Sequence, residues 1–474
     1  MTSTSSGTQH HAMGTASERR DTHQLLMAVA EGILSEPLPA EVVIAARLRL
    51  VDGLGLMLAG DEAFRKMVGR VAVDQFGFGT CSVGSIGGLS TVAASFAGAW
   101  LMHASDYDDT YLPTLLHAGV IVVPTVFALA QELALDLDSC VRLTVVGYEL
   151  GASVAGLGGA GQIHAHGWHT TSVVAAPVTA AVVGLARGLP LDEIGAAMAI
   201  ALCVAGGSLQ PVVETLNLKQ ALPAHGMTRG FWSLAMSAAS VSGPVSGLDG
   251  RFGLAQLFGG SASHGNPAPV AVAPRWSTVA AQTKFYPACH HIHGYLDALR
   301  QVLDQLAWPN TDEISSIEVV VVTDQVSIIC EPLAERIRPT DQYAARFSIQ
   351  FCLAVLAVTR RFNDDALNAS IGVDRVEQLA ARVRYFSRDV ADFPVRIPGA
   401  VTVRTTHNQS VTVEFDGAVQ STIDDQYIDR VTDKFVTNTC GVLGDHQARE
   451  LAATLADGTS QDMQALISIC SERS

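Results

Sequence analysis

Apolar positions recur with a helical period from Asp21 to about residue 260. Neighbouring apolar side chains lie three or four positions apart, and many of them are Ala, Gly or Leu, so the helices can pack closely and bury nearly all of their faces. The pattern predicts helices over residues 23–34, 40–60, 124–135, 171–186 and 192–207.

The pattern changes near Ala281 to short stretches rich in Val and Thr, which predict strands at residues 315–327, 382–386, 400–406 and 410–415. His407-Asn408-Gln409 between the last two predicts a hairpin. Helical stretches lie between the strands and return after about residue 425. We therefore predict a mainly α fold with an α+β part: a disordered tail (1–20), a large all-helical domain formed by the N- and C-terminal segments (21–280 and 421–474), and an inserted α+β lid domain (281–420).

Composition limits the partners that the chain can bind. Of the 474 residues 48% are hydrophobic and only 16% are charged, so much of the chain must be buried. The net charge is −16 and no basic run occurs, which argues against nucleic acid and against a membrane surface. The longest apolar run, residues 171–186, contains Pro177 and is shorter than the ~20 residues of a membrane helix, so it predicts a buried helix.

Cysteine and lysine usage adds two expectations. The eight cysteines are scattered without a Cys-x-x-Cys pair, which is typical of reduced thiols and predicts a cytoplasmic protein, or a mitochondrial one if the source is eukaryotic. Four lysines occur, at positions 66, 219, 284 and 434, and the other basic residues are arginines. An acidic protein that binds an anionic substrate needs a local positive pocket, so the position of each lysine is informative.

The stretch HASDYDDTYLPTLLHAG, residues 103–119, is strongly polar between two apolar segments. His103, Asp106 and Thr110 are spaced i, i+3 and i+7 and would share one face of a helix. This pattern indicates an acid–base site between apolar helices. The alternative is the solvated end of a helix, and the spacing alone does not decide between the two.

Three further residues complete this prediction. Asp108 and Asp109 would point away from the face that carries Asp106. His117 would fold back toward that face from the loop that follows.

Two more polar positions stand beside apolar segments. In GWHTTSV, His169 comes just before a predicted helix whose cap would be Thr170, Thr171 or Ser172, so it would lie beside an anion-binding helix N-terminus. The alternative is a histidine that only helps to cap the helix. Lys219 follows an apolar helical stretch, where a lone lysine is more often solvent-exposed.

The run KFYPACHHIHG lies where the helical part gives way to the α+β part. It holds Lys284, Cys289, His290, His291 and His293. Domain junctions are common places for small-molecule sites, so these groups are candidates for acid–base chemistry or anion binding. Zinc is the alternative, but zinc sites usually take separated ligand pairs or a distant third ligand, and we expect no metal.

Several common chemical fingerprints are absent from the sequence. No GxGxxG motif follows a predicted strand, and neither a P-loop nor a GxSxG elbow occurs. The remaining candidates, His, Asp and Lys, point toward proton transfer and elimination.

Taken together, the motifs closely resemble those of the MmgE/PrpD family. The matching motifs occur in family order, and the resemblance spans about residue 20 to the C-terminus. They are HASDYDDT with His117-Ala-Gly, GYELGA, GWHTTS, Lys219, KFYPACHHIH and RFSIQF. The resemblance implies a large helical domain built from both ends of the chain with an inserted α+β lid, which agrees with the patterns above. It also implies a homodimer that acts without metal or organic cofactor.

The resemblance further implies a site between the helical domain and the lid. Asp106 and Thr110 match the family's acidic motif, and His117 matches the histidine after it. His169 matches the histidine of the Gly-aromatic-His motif, and Lys219 matches the lysine that follows. His293 matches the histidine that closes the Lys-x-Tyr-Pro-x-Cys motif. The expected catalytic residues are His169, Lys219, Asp106, His117 and His293, and the expected substrate-binding residues are Thr110, His103 and Lys284.

Three departures from the family pattern concern the substrate more than the reaction type. The usual His-Pro is His117-Ala118 here, with a one-residue shift. His164 stands where an aromatic residue is common, and Phe351 lacks the hydroxyl of the usual tyrosine.

The sequence thus leads to the hypothesis of a cofactor-free lyase that abstracts a proton next to a carboxylate of a small di- or tricarboxylate. Dehydration of a 2-methylcitrate-type acid is the first expectation, and cis-aconitate-type decarboxylation or iminodisuccinate-type epimerisation are alternatives. His169 and Lys219 are expected to transfer protons, without a decision on which one abstracts. Two hypotheses of other classes are a non-catalytic helical interaction protein on the same fold and a metal-dependent hydrolase that uses the histidine run after Cys289.

Overall fold

The computed structural model describes residues 22–159, 161–214, 216–260, 274–417 and 423–457, with positions 463 and 467. Most of these residues are helical, and the strands form a two-stranded and a four-stranded sheet. The protein is therefore mainly α with an α+β part, which confirms the predicted fold class. The predicted disordered tail lies outside the described residues.

Helices dominate the first part of the chain. Those described there are α1 Thr22–Ser35, α2 Ala40–Leu58, α3 Glu62–Phe76, α4 Thr91–His103, α5 Ala118–Leu133, α6 Leu137–Leu157, α7 Gln162–Ala165, α8 Thr170–Ala186, α9 Leu191–Cys203, α10 Gln210–Val213, α11 Leu222–Ala238, α12 Leu254–Gly259 and α13 Ser277–Ala280. The helices predicted from periodicity are confirmed as α1, α2, α5, α8 and α9, although α5 begins ahead of its predicted start. An antiparallel hairpin of β1 Phe78–Val83 and β2 Ile86–Leu89, which was not predicted, packs beside α4.

The α+β part follows, and the chain then becomes helical again. Its elements are α14 His290–Gln305, β3 Ile314–Val322, α15 Leu333–Ile337, α16 Gln342–Arg346, α17 Ile349–Thr359, α18 Asp364–Ala369, α19 Asp374–Ala380, β4 Val383–Arg388, β5 Gly399–Thr405 and β6 Ser410–Phe415, followed by α20 Asp425–Leu443 and α21 Asp445–Asp457. The sheet order is β4-β3-β5-β6, with β3 parallel to β4 and antiparallel to β5. The predicted hairpin is confirmed as β5–β6, and Asn408 in its turn has φ 63°.

Two large hydrophobic cores and one small third cluster organise the described residues. The first extends from Leu26 to Ala281 and resumes from Tyr427, because α20 and α21 return to pack on α2. The second extends from Ala288 to Val403 and also includes Leu209 and Val212 of the helical part. These cores support a division near residues 280 and 420, which we keep as a proposal.

Helix α6 is, within the described ranges, the one helix long and apolar enough to cross a membrane. Of its apolar window 83% is buried inside the fold, where it packs against α5 and α8. A core helix passes the same test of length and composition, and this burial is what a core helix shows.

Candidate active site

The polar stretch after helix α4 forms a folded loop rather than the predicted helix. Helix α4 ends at His103, and Asp106 has a left-handed backbone with φ 49° that only short polar residues and glycine adopt readily. The predicted common helix face of His103, Asp106 and Thr110 is therefore wrong. Thr110 exchanges two backbone hydrogen bonds of 2.9 Å with Gln282, which ties the loop to the segment that carries Lys284.

Asp106 lies between two lysines, and all three side chains are buried. Lys284 Nζ donates to Oδ2 at 2.9 Å and to the Asp106 carbonyl oxygen at 2.6 Å, and Lys219 Nζ donates to Oδ1. Burial alone would raise the pKa of Asp106, but the lysines hold it well below its usual range. Burial alone would lower the pKa of Lys284, yet Asp106 raises it. The trio carries one net positive charge, which favours an anionic ligand.

Lys434 is the third buried lysine. Its Nζ lies 2.6 Å from Asp52 Oδ1 and donates to the Tyr107 carbonyl oxygen at 2.8 Å, which fastens α20 to the polar loop. Burial lowers the pKa of Lys434, and Asp52 opposes this change. The fourth lysine, Lys66, is on the surface with 74% of its side chain exposed.

Asp108 lies between two histidines. Its Oδ1 accepts a hydrogen bond from His103 Nδ1 at 2.8 Å, its Oδ2 lies 3.1 Å from His117 Nδ1, and its side chain is fully buried. Burial alone would raise the pKa of Asp108, but the two histidines hold it well below its usual range. Burial lowers the pKa of His103 to about 4. Asp108 points away from the pocket that Asp106 lines, as predicted, but it is buried rather than solvated. A carboxylate in an apolar interior stays ionised only beside donors.

Asp109 also points away from the pocket, as predicted, and its side chain is buried. Tyr148 donates its hydroxyl to Oδ2 at 2.7 Å, and the N–H of Gly119 donates to Oδ1 at 3.1 Å. These bonds anchor the start of α5. His117 folds back as predicted, and its N–H donates to Thr171 Oγ1 at 3.0 Å.

His169 occupies the N-cap position of α8, so the predicted cap at Thr170, Thr171 or Ser172 is wrong. Its Nδ1 lies 2.7 Å from Ser172 Oγ, and its Nε2 is buried with no hydrogen-bond partner among the described residues. Burial holds the pKa of His169 well below its usual range, so the ring is neutral at pH 7. Because no side chain caps α8, its free N–H groups add positive potential beside the ring.

The three histidines at the start of α14 line two neighbouring cavities, one of which is the pocket that contains Asp106. His290 and His291 line both, and each has a buried Nδ1 atom without a hydrogen-bond partner in the described part of the chain. His293 Nε2 donates to the Ala288 carbonyl oxygen at 3.2 Å, and its ring stacks on His290 at 4.9 Å between centroids. Burial lowers the pKa of His291 and of His293 to about 3. His293 lines only the second cavity, of about 210 Å³.

Six of the eight predicted site residues line one small pocket of about 60 Å³. The six are Asp106, Thr110, His117, His169, Lys219 and Lys284. The structure does not bring the other two to this pocket. His103 contacts Asp108 behind the wall, with its ring centroid 5.0 Å from that of His117, and His293 lies in the neighbouring cavity.

A larger cleft of about 790 Å³ adjoins this pocket. The two share His164 and an apolar rim of Leu115, Leu209, Val212 and Ile328. The helical part and the α+β part both contribute walls to the cleft, so it forms a route between the pocket and solvent.

The departures from the family pattern are not all at the pocket. His164 and His117 line it. Phe351 is fully buried in the second core and does not line it. Phe347 does line the pocket, and Lys219 Nζ lies 5.7 Å from the centroid of its ring.

One group of side chains in the described residues could hold a metal ion. Ligand atoms of His103, Asp108 and His117 lie within 4.8 Å of one another. The Nδ1 atoms of both histidines, however, face oxygen atoms that only accept, including the Asp109 carbonyl oxygen at 3.0 Å from His117. An Nδ1 atom that donates a proton has no lone pair for a metal. The histidine run at the start of α14 forms no such group within the described ranges.

Sequence reasoning did not assign Asp108 and Phe347 to the site. A signal for Asp108 was present, because a carboxylate between two histidines in an apolar region needs donors. No local signal identified Phe347, whose place depends on how the α+β part folds over the helical part.

Two family domains and several known proteins are similar in sequence to this chain. The MmgE/PrpD N-terminal domain matches residues 24–265, and the MmgE/PrpD C-terminal domain matches residues 286–457. The cis-aconitate decarboxylase-like protein oryM of Aspergillus oryzae is 25% identical over 305 residues, which cover 60% of this chain and 62% of that protein. The cis-aconitate decarboxylase of Aspergillus terreus is 23% identical over 354 residues, which cover 70% of this chain and 71% of that protein. The chain thus spans about three fifths of the length of the first relative. Because the two domain matches together cover most of its length, the chain belongs to the MmgE/PrpD family.

Proposed function

We propose that this chain is a lyase that acts on a small polycarboxylate by acid–base chemistry of its own side chains. The observation that carries the proposal is a set of buried polar atoms around one pocket that have no partner among the described residues. They are Thr110 Oγ1, His169 Nε2, His290 Nδ1 and His291 Nδ1. Buried polar atoms are almost always hydrogen-bonded, so a polar ligand that contacts them completes the site.

The charge of the pocket favours an anion. Lys219 and Lys284 are cations, and Asp106 neutralises only one of them. The uncapped N-terminus of α8 adds positive potential beside His169. Ionised groups attract each other more strongly in this buried space than in water, so carboxylates of a substrate would bind here despite the acidic surface.

The protonation states suggest complementary roles. His169 is neutral, and when its Nδ1 donates to Ser172 Oγ its Nε2 carries the lone pair that can accept a proton. Lys219 Nζ lines the pocket and donates a hydrogen bond to Asp106 Oδ1, so it is placed to donate a proton. In a decarboxylation the C–C bond to the carboxylate breaks, its electron pair stays on the carbon as carbon dioxide leaves, and that carbon then takes a proton. In a dehydration a base takes a proton from one carbon, its electron pair forms the double bond, and the hydroxyl group of the neighbouring carbon takes a proton from an acid and leaves as water.

The pocket of about 60 Å³ is small, and it continues into the cleft of about 790 Å³ through which a substrate can enter. We propose that the α+β part acts as a lid, because the cleft between the two parts meets the pocket at its apolar rim. Closure over bound substrate would exclude water and strengthen the charged contacts.

The names of the relatives favour cis-aconitate-type decarboxylation as the first candidate reaction. Dehydration of a 2-methylcitrate-type acid, the first expectation from the sequence, is the second candidate. Both begin or end with proton transfer at a carbon next to a carboxylate, so the same side chains serve either reaction.

The test is proton NMR of the purified protein in D2O with cis-aconitate, citrate, 2-methylcitrate and related dicarboxylates. We expect deuterium at a carbon next to a carboxylate, and the product identifies the reaction. His169→Asn and Lys219→Met should each lower turnover by at least about 100-fold. Lys66→Met, a change of the same type at a surface ion pair with Glu62, should leave turnover unchanged.

Two outcomes would contradict the proposal. Folded protein that neither exchanges nor converts any of these acids would favour the non-catalytic interaction protein. Turnover within about threefold of wild type in both variants would remove the proton-transfer roles of His169 and Lys219.

We also propose that the protein is a homodimer. Eight of the thirteen exposed large apolar side chains in the described residues lie within residues 213–257, which indicates a shared interface. They are Val213, Leu216, Leu218, Trp232, Val241, Val245, Phe252 and Leu257. Light scattering of the purified protein tests this, with Trp232→Glu expected to weaken the dimer.

A further inference from the structure

We infer that Asp108 is a positioning residue that keeps two imidazole rings protonated on Nδ1 at once, and so presents Nε2 of His117 to the pocket as a proton acceptor. The inference rests on the proposed acid–base function of the pocket. Neither side-chain oxygen of Asp108 reaches the pocket, so the residue acts only through the histidines.

The geometry around Asp108 determines which ring nitrogens carry protons. Its Oδ1 lies 2.8 Å from His103 Nδ1 in a hydrogen bond. Its Oδ2 lies 3.1 Å from His117 Nδ1, close enough for charge attraction but without hydrogen-bond geometry, and has no hydrogen-bond partner among the described residues. An ionised carboxylate only accepts hydrogen bonds, so His103 Nδ1 must be the donor. The pKa of Asp108 lies well below its usual range because the two histidines outweigh burial, so the carboxylate is ionised at pH 7.

His117 has a second, independent reason to carry its proton on Nδ1. This atom lies 3.0 Å from the Asp109 carbonyl oxygen, which has no proton to give. Both oxygen atoms next to His117 Nδ1 are therefore acceptors, and a lone pair in that position would face two lone pairs. The Nδ1–H form is the one that the surroundings stabilise.

The remaining nitrogen of each ring is then unprotonated while the ring is neutral. His117 lines the pocket and its side chain is 12% exposed, whereas Asp108 and His103 are fully buried. Nε2 of His117 can thus take a proton from substrate or relay one. Nε2 of His103 is buried and without a hydrogen-bond partner in the described residues, and its ring centroid lies 5.9 Å from that of His169.

An asparagine in place of Asp108 has nearly the same shape but cannot serve both rings. Its carbonyl oxygen can accept from one Nδ1–H, and its NH2 group then faces the other. His103 is at the shorter distance and keeps the carbonyl oxygen, so the NH2 group faces His117 Nδ1 at about 3 Å. A donor that faces a donor is unfavourable, and His117 should then move its proton to Nε2 despite the Asp109 carbonyl oxygen. Loss of the acceptor nitrogen at the pocket should then lower kcat by about 100- to 10,000-fold.

The experiment combines neutron diffraction with kinetics. Crystals of wild type exchanged into D2O should show deuterons on Nδ1 of both His103 and His117 and none on Nε2. Asp108→Asn should shift a deuteron to Nε2 of His117 and should lower kcat far more than it changes KM. Asp109→Asn is the matched control, because its side chain bonds to Tyr148 and Gly119 and to neither histidine. We expect it to leave both Nδ1 deuterons in place.

The outcomes separate this inference from the proposed function. A deuteron on Nε2 of His117 in wild type, or a metal ion among His103, Asp108 and His117, would overturn the inference. Turnover of Asp108→Asn within about threefold of wild type would overturn it too. The predicted deuterons in a protein that turns over no polycarboxylate would support the positioning role and contradict only the proposed function. If Asp108→Asn does not fold, the wild-type neutron map alone decides.

Discussion

Replacing His293 by glutamine should make the protein less sensitive to acid. His293 is 9% exposed and donates from Nε2 to the Ala288 carbonyl oxygen at 3.2 Å. Burial lowers its pKa to about 3, against about 6.5 in an unfolded chain. As the pH falls, the unfolded chain therefore binds the proton first. The contribution of His293 to stability is present in full above about pH 6.5 and is lost progressively between about pH 6.5 and pH 3.

The size of the effect follows from these two pKa values. Between pH 7 and pH 5 the free energy of unfolding should fall by about 2 kcal/mol on account of His293 alone. Glutamine can donate an amide N–H to the same carbonyl oxygen and does not titrate. The difference between wild type and His293→Gln isolates this group, because every other titrating residue is common to both proteins.

Urea unfolding followed by tryptophan fluorescence at pH 7, 6 and 5 measures this difference. Wild type should lose about 2 kcal/mol more than His293→Gln between pH 7 and pH 5. His446 is the control position, since its side chain is 94% exposed, and His446→Gln should follow the wild-type pH dependence. Equal losses in wild type and His293→Gln, within about 0.5 kcal/mol, would show that His293 is not held neutral by burial.

Three further predictions test the loop, the helix that follows it and the pocket mouth. Asp106→Asn removes the anion between two buried lysines and should lower the free energy of unfolding by about 3–5 kcal/mol in urea, and a loss under about 1 kcal/mol would contradict the buried ion pairs. Gly119→Ala places a Cβ against Asp109 Oδ1 and should cost about 1–3 kcal/mol in the same assay, whereas Gly32→Ala, with open space around its Cβ, should not destabilise. Leu115→Trp narrows the join between pocket and cleft and should raise KM by at least about tenfold in steady-state kinetics. An unchanged KM would mean that substrate reaches the pocket by another route.

Local patterns predicted most of the elements because periodicity and turn chemistry act over a few residues. The hairpin around Asn408 and the helices α2, α8 and α9 follow from such signals. The hairpin of β1 and β2 was missed because its sequence, FGTCSVGSIGGL, is rich in glycine and lacks apolar alternation. The end of β3 at Val322 was missed for a similar reason, since apolar residues continue into a turn.

The members of the candidate site could be predicted from motifs, but their arrangement could not. Asp106 meets Lys219 and Lys284, which lie 113 and 178 positions away along the chain, and no local pattern encodes such contacts. The spacing of His103, Asp106 and Thr110 suggested a helix, yet the helix ends at His103, and the left-handed backbone of Asp106 accompanies its contacts with the two lysines. Buried charges need specific donors, and this long-range requirement overrides the local preference.

The difference in burial among the lysines means that the reactivity of their amines can report on access to the pocket. Lys66 is the lysine with an exposed amine, whereas Lys219, Lys284 and Lys434 are buried in ion pairs. If the α+β part acts as the proposed lid, an acylating reagent should label Lys66 at a steady rate and should reach Lys219 only while the lid is open. Mass spectrometry of the two labelled peptides would measure the acylation rate of Lys219, with the rate at Lys66 as the internal reference. A bound polycarboxylate that closes the lid should slow the second reaction and leave the first untouched.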